Sequence, residues 1–176
     1  MSITIREARP GDLDVIVRFN IALASESEGI RLEPRTIEAG VRAALADPAK
    51  GRYYLAEVDE PADGRRGVEP TGEPDRRTVG QLMTTFEWSD WRNGMFLWIQ
   101  SVYVERDWRR RGVFRALYRH VERLSRGPGM CGLRLYVHDH NRAARDTYRR
   151  LGMVPPGYSV LETPDALRDP AEEAGA

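Results

Sequence analysis

Residues 101–121, SVYVERDWRRRGVFRALYRHV, pass from a β-type run into helical spacing across three consecutive arginines and one glycine. Val113, Leu117, Val121 and Leu124 recur at near-helical intervals until RGPGM stops the helix, and a second β-type run, LRLYV, follows. Strand, helix and strand in that order form a right-handed crossover whose two strands lie parallel. Immediately upstream, Asn93-Gly94 separates QLMTTFEW from MFLWIQSVYV, which predicts an antiparallel hairpin. A chain carrying both features builds a mixed sheet, and a ligand crevice is expected where strand direction changes.

The remaining segments extend this frame. ITIREA alternates like a strand; PGD then turns the chain, with Asp12 as N-cap of a helix bearing Leu13, Ile16, Val17 and Asn20 on one side. SESEGIRLEP reads as a loop before a helix from Pro34 to Ala46, and RYYLAEV and TVGQLMTTFEW read as strands. Residues 59–77, rich in Pro, Gly and charge, read as a mobile hairpin loop. After LRLYV come a helix, NRAARDTYRRLG, with Asn141 at its start and Gly152 at its end, and a final strand, GYSVLE. The expectation is one α/β domain over residues 1–162 and a frayed acidic tail over 163–176. Its sheet is mostly antiparallel with one parallel βαβ crossover, flanked by four helices.

Composition narrows the class. Of 176 residues, 41% are hydrophobic and 31% charged, and the mean hydropathy is -0.55, as in a soluble globular protein. No apolar run approaches the roughly 20 residues of a membrane span. No secretory signal is visible at the N-terminus, so a cytoplasmic protein with no membrane partner is expected. The single cysteine, Cys131, sits in a β-type run and is expected to be buried. Net charge is zero, yet residues 106–150 hold thirteen arginines against four carboxylates, an excess of nine. Such an excess suits an anionic partner. The i, i+4 stripe Arg111, Arg115, Arg119, Arg123 lacks interleaved base-reading residues, so it reads as a solvated face and no nucleic-acid partner is expected. His138 and His140, with His120 the only other histidine, fall short of a metal-ligand set, and no metal is expected.

The strand-to-helix junction has a chemistry of its own. A helix N-terminus offers unpaired N–H groups and partial positive charge, so the loop before it can bind phosphate, while in so arginine-rich a chain the same run also reads as a solvated helix start. Gly112 permits close backbone approach there, and Arg109, Arg110 and Arg111 add charge-assisted donors. Asn141 and Tyr148 are seven residues apart, hence on one helix face. Asn141 is suited to an amide-bearing ligand arm or is simply a helix cap; Tyr148 is a proton donor or a core aromatic.

These two segments resemble the GCN5-related N-acetyltransferases, which move an acetyl group from acetyl-CoA to an amine. VYVERDWRRRGVFRALY is similar to that family's strand-led cofactor motif, Gln/Arg-x-x-Gly-x-Gly/Ala, and LRLYVHDHNRAARDTYRRLGM to its Asn-x-x-Ala-x-x-x-Tyr signature. The resemblance implies that the backbone of Val102, Tyr103 and Val104 pairs with the pantetheine arm. It implies too that Arg109, Arg110, Arg111, Gly112, Val113, Phe114 and Arg115 cradle the pyrophosphate. Asn141 would contact the arm, and Tyr148 would protonate the departing thiolate. Phe114 departs from the motif, standing where the family has Gly or Ala.

Acetyl transfer also needs an acceptor site and a destination for the amine's proton. Of Glu87, Asp90, Glu26 and Glu28, Glu87 is the first choice for that base and Glu26 or Glu28 the next, unless all four are ordinary exposed carboxylates. Trp88, Trp91 and Trp98 gather near the same hairpin and line the acceptor pocket or belong to the core. The acceptor is expected to be a small-molecule or peptide amine. The second reading is a CoA-binding module or sensor without catalysis. An exposed strand edge at the C-terminus would allow a homodimer.

Overall fold

The computed structural model describes residues 2–59, 76–138 and 140–161. Most of the loop read at 59–77, and the whole tail read at 163–176, lie outside the described residues, while 59, 76 and 77 continue strands. The chain divides into two compact units, Met1–Tyr136 and Val137–Ala176.

The first unit is a five-stranded sheet ordered β1-β2-β3-β4-β5. Its strands are β1 (Ile3–Glu7), β2 (Arg52–Asp59), β3 (Arg76–Ser89), β4 (Gly94–Val104) and β5 (Met130–Leu135), with helices α1 (Leu13–Ser27), α2 (Pro34–Ala46) and α3 (Val113–Leu124). All neighbours are antiparallel except β4 and β5, the expected crossover pair. Strand alternation divides the core in two. Tyr53, Leu55 and Met83 face α1 and α2, where they join Ile16, Val41 and Ala44. Tyr54 faces α3 and meets His120 at 4.9 Å between ring centroids. Leu117 and Val121 of α3 are fully buried, each worth about 1.5–3 kcal/mol of burial. Gly80 makes this close docking feasible: a Cβ there would stand 2.9 Å from the Tyr103 carbonyl and 3.2 Å from Val113 Cγ1.

β4 contains the feature that shapes the sheet. Met83 pairs with Ser101, but the next residue, Thr84, pairs with Ile99, leaving Gln100 as the extra residue of a β-bulge. Parallel pairing to β5 ends at the same level, Ile99 opposite Leu135. A bulge bends and twists its strand. Among the described residues, β4 then continues to Val104 beside β3 alone.

Several details differ from the sequence reading. The β3–β4 turn spans Asp90–Asn93 and closes with Asn93 N donating to the Asp90 carbonyl at 3.2 Å. Asn93 alone takes the left-handed conformation (φ +45), and Gly94 is required by space, since its Cβ would lie 2.9 Å from that of Cys131. Asp12 does not cap α1 with its side chain; it accepts from Arg6 at 2.7 and 2.8 Å and from Arg9 N. Cys131 is half-buried. α1 extends through Ser27, taking in residues read as loop.

The second unit holds α4 (Arg142–Arg150). The predicted final strand does not form among the described residues: 154–161 are irregular, with Tyr158 77% and Val160 60% exposed. Alternating Tyr and Val favour a strand only with a neighbour to pair against, and no described strand pairs with them.

Candidate active site

The crossover loop ends in an open helix N-terminus. Gly112, the N-cap of α3, has φ +89 and ψ -2 and provides no side-chain cap. The first helical bond runs from Ala116 N to the Gly112 carbonyl, so the N–H groups of Val113, Phe114 and Arg115 lie ahead of it. Among the described residues, no atom beyond its chain neighbours comes within 4 Å of where a Gly112 Cβ would stand. Backbone conformation demands glycine here, and the space its missing side chain leaves is open to a ligand. Arg110, two residues earlier, is also left-handed (φ +62), at a cost of about 1–2 kcal/mol for a non-glycine residue.

The four arginines differ in their use. Arg109 turns back toward α1: its Nε donates to the Val104 carbonyl at 2.9 Å and its Nη2 to Glu26 at 2.6 Å. Arg111 lies 5.1 Å over the Trp108 ring. Arg110 and Arg115 are exposed beside the cradle. Phe114 lies along the flank of α3, its ring 6.2 Å from that of Tyr118 one turn on. Its bulk is thereby laid along the helix.

Val102, Tyr103 and Val104 pair with Leu82, Gln81 and Gly80 of β3. Their other backbone edge has no strand partner among the described residues, because β5 has already ended. Such an edge accepts an extended, amide-bearing chain. Tyr103 points toward α1, where its hydroxyl donates to Glu26 at 3.0 Å and its ring lies 5.2 Å from Phe19. Burial, then the Glu26 carboxylate, push its phenol pKa up. Glu26 itself, read as a loop residue, sits in the last turn of α1 and is held below the usual carboxylate range, chiefly by Arg109. Arg106 joins it at 3.2 Å.

Glu87 lies on the α1–α2 face of the sheet, in register with Phe96. One carboxylate oxygen accepts from the Trp98 indole and the other from Arg134 Nη1 at 2.7 Å. The Arg134 guanidinium stacks 3.7 Å above the Phe96 ring, and Trp98 meets Tyr136 at 4.4 Å. Gly132 admits the ring, since a Cβ there would be 2.8 Å from Phe96. Of the tryptophans, Trp98 is half-buried in this group, while Trp88 and Trp91 are exposed (58% and 90%) and form no part of the core. Asp90 is taken up in the hairpin turn, accepting from Trp91 N, and Glu28 closes the end of α1. Arg134 is the residue that sequence reading missed. Its signal was a charge inside the β-type run LRLYV, which register sets opposite Trp98.

In the second unit, Asn141 caps α4, its Oδ1 accepting from Ala144 N at 3.0 Å. Tyr148 is half-buried two turns on, and Gly152 (φ +91) ends the helix as expected. The rings of His138 and His140 lie tilted against each other, with centroids 5.3 Å apart. Among the described residues no cluster of three metal-ligating side chains occurs.

This architecture recurs in known proteins. Residues 33–153 match the family model described as acetyltransferase (GNAT) family. The thialysine N-epsilon-acetyltransferase of Bos taurus is 28% identical over 152 residues, 85% of this chain and 83% of that protein. Its counterpart from Sus scrofa is 30% identical over 152 residues, 86% and 84% of the two chains. Among solved structures, one described as a possible acetyltransferase from Clostridium difficile 630 superposes with a TM-score of 0.78 at 40% identity, covering 93% of this chain and 97% of its own. With the crossover, the bulged β4 and the open α3 N-terminus already described, the chain belongs to the GNAT family of acetyltransferases.

Proposed function

We propose that the protein transfers the acetyl group of acetyl-CoA to a primary amine by direct attack in a ternary complex. The observation that carries this reading is the end of β4–β5 pairing at the Gln100 bulge, next to an open α3 N-terminus. The backbone of Val102, Tyr103 and Val104 would hold the pantetheine arm in that gap. The N–H groups of Val113, Phe114 and Arg115, together with Arg110, Arg111 and Gly112, would hold the pyrophosphate. Arg109, engaged with Glu26 and the Val104 carbonyl, acts by shaping the loop. Asn141 is assigned to the arm beyond its capping role. Tyr148 is assigned as the acid that protonates the leaving thiolate, and Glu87 as the carboxylate that takes the amine's proton through water. No activated nucleophile is needed, and free Cys131 has no part in the reading. A primary amine is favoured because two relatives are named for acetylating the ε-amine of thialysine. The cytoplasm is the proposed compartment.

The test is Tyr148→Phe, assayed by CoA release across a panel of amines alongside acetyl-CoA binding. Loss of the acid lowers kcat by about 100-fold or more with cofactor affinity nearly unchanged. An unchanged rate rejects that role. Acetyl-CoA binding without thiol release from any amine would instead favour a CoA sensor.

A further inference from the structure

We propose that Glu26, in the last turn of α1, is a positioning residue for the cofactor: through Arg109 it sets the spacing between the two halves of the acetyl-CoA site. The inference rests on the cofactor side of the acetyl-transfer reading and gives Glu26 no part in proton transfer.

On that reading the pantetheine arm lies along Val102, Tyr103 and Val104, the pyrophosphate lies at residues 112–115, and residues 105–111 connect the two. The connector begins as one tight turn, Trp108 N donating to the Glu105 carbonyl at 2.9 Å and Arg109 N to that of Arg106 at 3.2 Å. Its start is fastened to β3: Glu105 N donates to the Val79 carbonyl at 3.0 Å, and the Glu105 carboxylate accepts from Arg77 at 2.8 Å. The turn is fastened at its other end by a closed circuit of bonds. Arg109 Nε donates to the Val104 carbonyl at 2.9 Å and Nη2 to one Glu26 oxygen at 2.6 Å. The other Glu26 oxygen accepts from the Tyr103 hydroxyl at 3.0 Å, and Tyr103 adjoins Val104. Arg106 reaches the same carboxylate at 3.2 Å.

The bond to Val104 alone would leave the guanidinium a pivot; the second bond, from Glu26, fixes its plane. Glu26 is itself placed by packing, since Phe19 on the same helix lies 5.2 Å from the Tyr103 ring. The backbone gives an independent sign of restraint. Arg110, next in the chain, is left-handed at φ +62, which a non-glycine residue keeps only where its surroundings hold it. Anchoring Arg109 supplies that hold immediately before the cradle.

One molecule held at two points gains from the linkage only when its two sites stand at the right separation. A fragment that fills one half does not sense that separation. The test therefore compares acetyl-CoA with 3′-phospho-ADP, the pyrophosphate-bearing portion of CoA without the arm, by calorimetric titration of the full-length protein. Glu26→Gln should weaken acetyl-CoA binding by about 10-fold, the worth of one charged hydrogen bond, and bind 3′-phospho-ADP no more weakly than the wild type. At saturating acetyl-CoA its kcat should be unchanged, so that the loss appears in the KM for acetyl-CoA. Arg109→Gln should weaken acetyl-CoA at least as much, and the double variant no more than Arg109→Gln alone, because both break one circuit. Tyr103→Phe removes only the hydroxyl and should give a smaller loss with the same selectivity, which keeps the question open to test if Glu26→Gln folds poorly. Equal losses for both ligands mark a general fault in fold or charge and overturn the proposal. Additive losses in the double variant overturn it too, as does a lowered kcat, which would put Glu26 in the chemistry. A wild type that binds no acetyl-CoA refutes the cofactor reading and this proposal with it; one that binds acetyl-CoA but acetylates no amine leaves the titrations decisive.

Discussion

Replacing Gly112 by alanine separates the two reasons for glycine at the head of α3. At φ +89 an L-residue pays about 1–2 kcal/mol, offset by the 0.4–1 kcal/mol that alanine gains from a less flexible unfolded chain. Beyond its chain neighbours, no atom of the described residues lies within 4 Å of the new methyl, so they add no packing penalty. The net loss, about 1 kcal/mol, lowers Tm by about 2–4 °C in a protein of this size. The methyl does, however, enter the open space before the N–H groups of Val113, Phe114 and Arg115. If those groups hold the pyrophosphate, losing one charge-assisted bond weakens acetyl-CoA binding by about 10- to 100-fold. Gly129 supplies the control: it is also left-handed (φ +76), with nothing within 4 Å, but lies in the α3–β5 connection. Gly129→Ala should match the thermal loss and bind acetyl-CoA like the wild type. Calorimetric titration of both variants decides the matter, and equal affinities would refute the cradle.

Gly80→Ala tests the docking of α3 on β3, where the new Cβ would press on the Tyr103 carbonyl at 2.9 Å and on Val113 at 3.2 Å. Overpacking against backbone costs about 1–3 kcal/mol, read as a fall in urea midpoint, and an unchanged midpoint would show that the contact yields freely. Burial against Tyr54, then the charge of Arg123, hold the His120 pKa below its ordinary 6.5. The unfolded chain therefore takes up this proton first as pH falls. Stability contributed by neutral His120 is full above the unfolded value and is lost on acidification through it. Tm measured between pH 7.5 and 5.5 should fall less steeply in His120→Gln than in the wild type.

Much of this protein was legible from local chemistry. The β4–α3–β5 crossover, α2 from Pro34 to Ala46, and Asn141 and Gly152 at the ends of α4 all follow from period and capping, which neighbours in sequence decide. The family motif likewise pointed to the α3 N-terminus, and the left-handed Gly112 is what its position required. The arginine run was less informative, since side-chain direction depends on partners distant in sequence. Arg109 meets Glu26, 83 residues away. The final strand failed for a related reason, because alternation without a neighbouring edge does not make a strand.

The candidate acceptor group shows the same division most sharply. Glu87 and Trp98 drew attention as a carboxylate and an aromatic near a turn, but Arg134 lies 47 residues from Glu87 and entered only through the parallel register of β4 and β5. By itself the sequence determined most of the elements, the crossover and the glycine that opens the helix, since these depend on backbone preference and short-range spacing. Tertiary structure alone decided the Gln100 bulge, the parting of β4 from β5 and the stacking of Arg134 on Phe96. Each arises from pairing and packing between segments that are far apart in the chain, where no local preference reaches.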